Sequence, residues 1–138
     1  MKEININNAR SQIPSLAIVV PCYNEKDAFP YCLEGLTTVL KNLLAKEKIA
    51  RNSYILFVDD GSKDNTWEQI KSTSQEKSFI RGLKLSRNRG HQIALLAGLA
   101  NADTDVTVSI DADLQDDIGC IEKMIDKYHE GFEIVYGV

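Results

Sequence analysis

Apolar and polar residues alternate in blocks along this chain. Leu16 to Val20 is an unbroken apolar, β-rich run, the pattern of a strand buried on both faces. Pro21 is expected to end it. Phe29, Cys32, Leu33, Leu36, Leu40, Leu43 and Leu44 then recur at helical spacing to about Ala45, with Pro30 in the first turn, where it is tolerated. Tyr54 to Val58 reads as a second strand. Trp67 and Ile70 mark the buried side of a short polar helix ending near Glu76. Ile80 to Leu85 reads as a third strand, and His91 to Ala102 as a helix whose Ala94, Ala97, Gly98 and Ala100 permit close packing on a sheet. Val106 to Ile110 reads as a fourth strand. Ile118, Ile121, Met124, Ile125 and Tyr128 outline one more helix face, and Glu133 to Tyr136 a fifth strand.

The order βαβαβαβαβ predicts an α/β fold: a doubly wound, parallel-dominated sheet of about five strands, helices on both faces, joined by right-handed crossovers. Such sheets bind ligands beyond the carboxyl ends of their strands, where the strand order reverses. Those ends are polar here. The first carries Tyr23 and Glu25, the second Asp59 and Asp60, the third Arg87 and Arg89, and the fourth Asp111 and Asp113. The amino ends, near Ser15, Ser53 and Thr104, carry no such cluster.

Composition narrows the class. The 138 residues suffice for one domain with a core. A net charge of −4 offers no basic field, so no nucleic-acid partner is expected. Cys22, Cys32 and Cys120 form no C-x-x-C pair, which suggests free thiols, a reducing compartment and no zinc site. Met1 to Pro14 is polar, rich in Asn and without an apolar centre; it reads as a loose leader, not a signal peptide. No apolar run approaches the ~20 residues that span a bilayer.

Carboxylates without neighbouring His or Cys suit a hard cation, Mg²⁺ or Mn²⁺, commonly held by one or two carboxylates and substrate phosphates. Asp111, Asp113 and Gln115 are placed to reach such an ion; the competing reading is an acidic loop capping the next helix. Asp59 and Asp60 fit either hydrogen bonds to a ribose hydroxyl or base N–H, or a turn with local caps around Gly61 and Ser62. Arg87 and Arg89 fit either anion binding at the following helix N-terminus or a solvated turn. Tyr23 fits either stacking on a base or packing on the first helix. His91 is given no catalytic role, and Cys22 reads as a bystander at the edge of the site.

Four stretches together resemble the family 2 glycosyltransferases: Pro21-Cys22-Tyr23-Asn24-Glu25, Val58-Asp59-Asp60-Gly61-Ser62-Lys63-Asp64-Asn65-Thr66, Leu85-Ser86-Arg87-Asn88-Arg89-Gly90-His91-Gln92 and Asp111-Ala112-Asp113-Leu114-Gln115-Asp116. The last is similar to the branch containing dolichyl-phosphate mannose synthase and bacterial polyprenyl-phosphate glucosyltransferases. The resemblance implies the nucleotide-binding half of a GT-A fold, a UDP- or GDP-sugar donor, and inverting transfer to a polyprenyl phosphate or glycan in cell-wall or glycolipid synthesis. It implies that Pro21, Tyr23 and Glu25 line the nucleotide pocket with Asp60 and Arg89, that Asp59 contacts the base, that Asp111 sits near ribose and metal, and that Asp113 and Gln115 bind the metal. After Asp116 the chain departs from relatives, with Asp117-Ile118-Gly119 where prolines are common. The family's acceptor-binding half and general base lie later than Val138, so residues 15–138 are expected to be a truncated, nucleotide-sugar-binding catalytic domain. It is expected to be inactive alone, cytoplasmic, with membrane association in the full-length protein, and able to self-associate through the apolar surface left by the missing half.

Three rivals share parts of this pattern. A Mg²⁺-binding receiver module wants its acidic pair after the first strand, where this chain has Pro21-Cys22-Tyr23. A sugar-phosphate nucleotidyltransferase wants a Gly-rich basic loop there. A binding fragment without catalysis is the third.

Overall fold

The computed structural model describes residues 2–5, 13–113, 119–130 and 132–135. Their elements, in order, are β1 (Lys2–Asn5), β2 (Leu16–Cys22), α1 (Phe29–Ala45), β3 (Tyr54–Asp59), α2 (Thr66–Glu76), β4 (Ile80–Lys84), α3 (His91–Asn101), β5 (Val106–Ser109), α4 (Cys120–His129) and β6 (Phe132–Val135). Four strands form a parallel sheet in the order β4-β3-β2-β5. The chain therefore winds outward from β2 in one direction to β4, then returns to place β5 on the other side of β2. The strand order reverses between β2 and β5.

Alternation along the central strands feeds two cores. Leu16, Ile18, Val20, Ile55 and Phe57 face α1, α2 and α4, where Leu36, Leu40, Ile70, Ile121 and Ile125 are fully buried. Ala17, Val19, Tyr54, Leu56 and Val58 face α3. Both faces being covered explains why these strands read as unbroken apolar runs. The α3 side depends on small residues. A Cβ on Gly98 would lie 2.4 Å from Val19 Cγ1 and 3.0 Å from Val58 Cγ2, so the helix rides against the sheet at a distance only glycine allows. The outer side of α3 exposes Ile93, Leu96 and Leu99.

Three elements differ from expectation. Strand β2 continues through Pro21 to Cys22, paired with Val58 and Asp59 of β3. Backbone groups of successive strand residues face opposite neighbours. Val19 C=O accepts Ile110 N–H at 3.0 Å on the β5 side, and Cys22 C=O accepts Asp60 N–H at 2.8 Å on the β3 side. Pro21 thus turns its donorless nitrogen toward β5, whose pairing has stopped at Val19↔Ser109, so no ladder bond is lost. The segment expected as the fifth parallel strand is β6, paired antiparallel with β1 in a separate two-stranded sheet. A short β pattern marks a strand but leaves its partner and direction open. For the same reason β1, whose partner lies at the other end of the chain, falls inside the stretch read as a leader. Ile118, expected on the core face of α4, lies outside the described residues. No helix of the described residues is long and apolar enough to cross a membrane.

Candidate functional site

A cavity of about 460 Å³ opens where the strand order reverses, at the carboxyl ends of β2 and β5. Its wall includes Pro21, Tyr23, Glu25, Asp60, Asp111 and Asp113. Three of the four sequence stretches, far apart in the chain, therefore meet in one place. The fourth contributes residues that sequence reasoning did not select, Asn88, Gly90 and His91, and Ala94 just beyond it also lines the wall. His91 Nε2 lies 3.7 Å from Asp111 Oδ1, an ion pair only when the imidazole is protonated. Its position in the first turn of α3, beside a polar strand end, was the one available signal.

The two acidic residues after β3 do different things. Asp60 is buried, and both its oxygens are engaged: Oδ1 accepts Arg89 N–H at 2.7 Å and Oδ2 accepts Gly90 N–H at 3.0 Å. It ties the end of β3 to the turn that launches α3. Gly61 makes this approach possible, with φ +71° and its α-carbon against the backbone of Arg87 and Asn88. Asp59 is fully buried. Its Oδ2 accepts Ser62 N–H at 3.1 Å, while Oδ1 has no hydrogen-bond partner. A buried carboxylate oxygen left unmatched is costly. Asp59 and Arg89 are not part of the cavity wall; the Arg89 side chain is exposed and its backbone N–H is the part held by Asp60.

The loop after β2 turns at Asn24. Asn24 takes a left-handed conformation, φ +52°, accommodated by Asn more readily than by most residues. Its neighbours Tyr23 and Glu25 reach the cavity. Burial, then the nearby carboxylates of Asp113, Asp64 and Asp111, push the Glu25 carboxyl above its ordinary range. Asp64 itself is held below the ordinary aspartate range: partial burial pushes it up, but hydrogen bonds from the Thr66 side chain and the backbone N–H groups of Thr66 and Lys26 outweigh that. Burial also raises the Cys22 thiol and raises Cys32 to about 12, so both are inert as nucleophiles at neutral pH.

Asp111 and Asp113 are the described oxygen donors that could hold a cation; Gln115 lies outside the described residues. Among the described residues no three His, Cys, Asp or Glu side chains gather as a metal-binding group. Two carboxylates nevertheless fit a Mg²⁺ or Mn²⁺ that takes its other ligands from phosphates and water. The carboxylate repulsion that adds to burial in raising Glu25 is what a cation among these groups would relieve.

Residues 17–138 match the family description Glycosyl transferase family 2. The chain belongs to this family. It is 54% identical over 127 residues to the uncharacterized glycosyltransferase YkoT of Bacillus subtilis (strain 168), covering 91% of this chain and 38% of that protein. It is 40% identical over 122 residues to the uncharacterized glycosyltransferase YkcC of the same organism, covering 88% and 36%. The chain thus spans a little over a third of the length of the curated relatives it matches. Among solved structures, a mannosyltransferase from Pyrobaculum calidifontis in complex with GDP-Man and Mn²⁺ is similar at a TM-score of 0.56, with 24% identity, over 75% of this chain and 28% of that one. Staphylococcus aureus TarS 1-349 in complex with UDP is similar at 0.58, with 21% identity, over 83% and 33%. At these identities the likeness is one of fold: the parallel sheet and its helices match part of a GT-A glycosyltransferase. With the family established, the receiver and nucleotidyltransferase readings are set aside.

Proposed function

We propose that this glycosyltransferase chain binds the nucleotide diphosphate of a UDP- or GDP-sugar in the cavity between β2 and β5. One observation carries the reading: Tyr23, Glu25, Asp111 and Asp113 converge on a single cavity at the reversal of the strand order, the place where open α/β sheets take nucleotides. The solved neighbours with GDP-Man or UDP support a nucleotide-sugar donor.

In this reading Asp59, buried and off the cavity wall, contacts the base only once its carboxylate turns outward, and Tyr23, 38% exposed, stacks on the base. Pro21 forms the apolar floor beside it. Asp111 faces the ribose and, with Asp113 and Gln115, holds Mg²⁺ or Mn²⁺. Arg89 lies at the outer edge and attracts the anionic donor. When bound, the cation supplies Lewis-acid neutralisation of charge on the departing diphosphate. Inverting transfer to a polyprenyl phosphate or glycan is proposed for the full length over which the relatives extend, of which this chain spans a little over a third. Cytoplasmic placement, with membrane association over the full length the relatives span, is part of the same reading. So is self-association through Ile93, Leu96 and Leu99, which an elution volume independent of concentration would argue against.

A thermal-shift series with UDP, GDP and CDP, each with and without Mn²⁺, tests the proposal. A metal-dependent rise for one nucleotide supports it. The absence of any shift with every pair, at millimolar ligand, overturns it for this chain.

A further inference from the structure

We infer that Asn24 is a positioning residue, which sets Tyr23 and Glu25 in the cavity by clasping the loop after β2 to the loop after β3. The inference rests on the donor-binding reading for what is positioned, and on hydrogen bonds of the unliganded chain for how. Asn24 works in both directions. Its N–H donates to Ser62 Oγ at 2.9 Å, and its Oδ1 accepts Lys63 N–H at 2.8 Å. The next residues continue the join: Glu25 N–H donates to Thr66 Oγ1 at 2.9 Å, and Lys26 N–H donates to Asp64 Oδ2 at 3.3 Å. Gln69 Nε2 closes it by donating to Lys26 C=O at 3.2 Å. Asp64 in turn accepts from both the N–H and the hydroxyl of Thr66.

The pattern has two consequences. First, the side chains of Ser62, Asp64 and Thr66 are spent on the neighbouring loop's backbone, which accounts for their place in a stretch whose cavity-lining member is Asp60. Second, the left-handed turn at Asn24 sits between Tyr23 and Glu25, so it sets the directions in which the two leave the backbone. Relaxing that turn moves both. Asn is suited to the position because it tolerates positive φ and carries an acceptor on a short side chain. The clasp links residues about 40 apart in sequence with short polar contacts, and side chains from each loop hold the other's backbone. Loss of one member is therefore expected to loosen bonds it does not itself make.

The test reads amide exchange by NMR in the full chain, without ligand, together with UDP and GDP affinity in Mn²⁺. In Asn24→Ala the Glu25 N–H, whose acceptor Thr66 is untouched, should exchange at least about tenfold faster, while amides of β2 and β3 keep their protection. Nucleotide affinity should fall by about tenfold or more. Asn24→Asp keeps the acceptor and the tolerance of positive φ, and should hold both quantities within about threefold of wild type. Ser62→Ala, a smaller change at the opposite loop, should shift Glu25 exchange in the same direction. Unchanged Glu25 exchange in a folded Asn24→Ala, or Asn24→Asp failing as badly as Asn24→Ala, overturns the inference. If wild type binds neither nucleotide, the donor reading fails by that result, and the clasp is still judged by exchange alone.

Discussion

Replacing Gly61 by alanine should be among the most damaging single-methyl changes this fold can suffer. The position has φ +71°, and a Cβ there would lie 2.4 Å from Arg87 C, 2.4 Å from Asn88 N and 2.8 Å from Arg87 Cα. The left-handed conformation alone costs roughly 1–2 kcal/mol for a residue with a Cβ. The obstacles are backbone atoms, which cannot rotate aside as a side-chain tip can. Reaching ordinary contact requires the 87–88 turn to retreat by about 1 Å, and overpacking of this kind costs roughly 1–3 kcal/mol. That turn is tethered by the bonds from Arg89 N–H and Gly90 N–H to Asp60, at 2.7 and 3.0 Å. Retreat stretches both and leaves a buried carboxylate short of donors, for roughly 1–3 kcal/mol more. Together these suggest a loss of about 3–8 kcal/mol, a large part of the 5–15 kcal/mol typical of a domain. Urea unfolding followed by the sole tryptophan, Trp67, reads it directly. At a slope of about 1–3 kcal/mol/M the midpoint should fall by at least about 1 M with the slope unchanged. A loss below about 1 kcal/mol would refute the reasoning, because it would mean that the turn yields freely and the Asp60 tether carries little.

Asp113→Asn should leave the metal-free protein equally stable or slightly more so, since one of the crowded carboxylates is neutralised. The same change should abolish most of the Mn²⁺-plus-nucleotide shift, which at 100 times Kd corresponds to about 2.7 kcal/mol; a retained shift in differential scanning fluorimetry counts against Asp113 as a ligand. Glu25, raised in the folded chain, holds its proton longer than in the unfolded one, so in EDTA stability should decline as pH rises from its ordinary 4.5 through its folded value. Glu25→Gln should flatten that decline, and superimposable pH–stability curves would show that the raised carboxyl has no energetic weight. In a thiol titration of the folded chain with Ellman's reagent at pH 8, half-buried Cys120 should react well before the buried Cys22 and Cys32; rapid reaction of all three would contradict their burial.

The regular elements were legible because each has a local signature. Strands β2 and β3 are buried on both faces and read as unbroken apolar runs, and α1 carries Leu36, Leu40 and Leu43 at helical spacing. The place of the cavity was legible in outline because strand ends in such sheets are where polar residues gather. What escaped was non-local. Nothing near Asp60 in the sequence announces that its oxygens will be filled by N–H groups about thirty residues later. His91 looked like an ordinary first-turn residue until β5 brought Asp111 near it. The pairing of Lys2–Asn5 with Phe132–Val135 joins opposite ends of the chain and leaves no mark in either segment alone. Asp59 shows the same limit at atomic scale: its carboxylate was an evident candidate, but only the fold separates the oxygen held by Ser62 from the one without a partner.

Pro21 gives the cavity a safeguard. Parallel strands pair for as long as donors and acceptors continue in step, and the β2–β5 register ends at Val19 and Ser109, short of Pro21 and Asp111, which line the cavity. With no hydrogen on its nitrogen, residue 21 cannot offer the next rung. The opening is thus defended by something withheld, like a zip fastened up to a missing tooth. A side chain can be repacked around or moved aside by breathing motions; a missing donor stays missing in every conformation the chain visits.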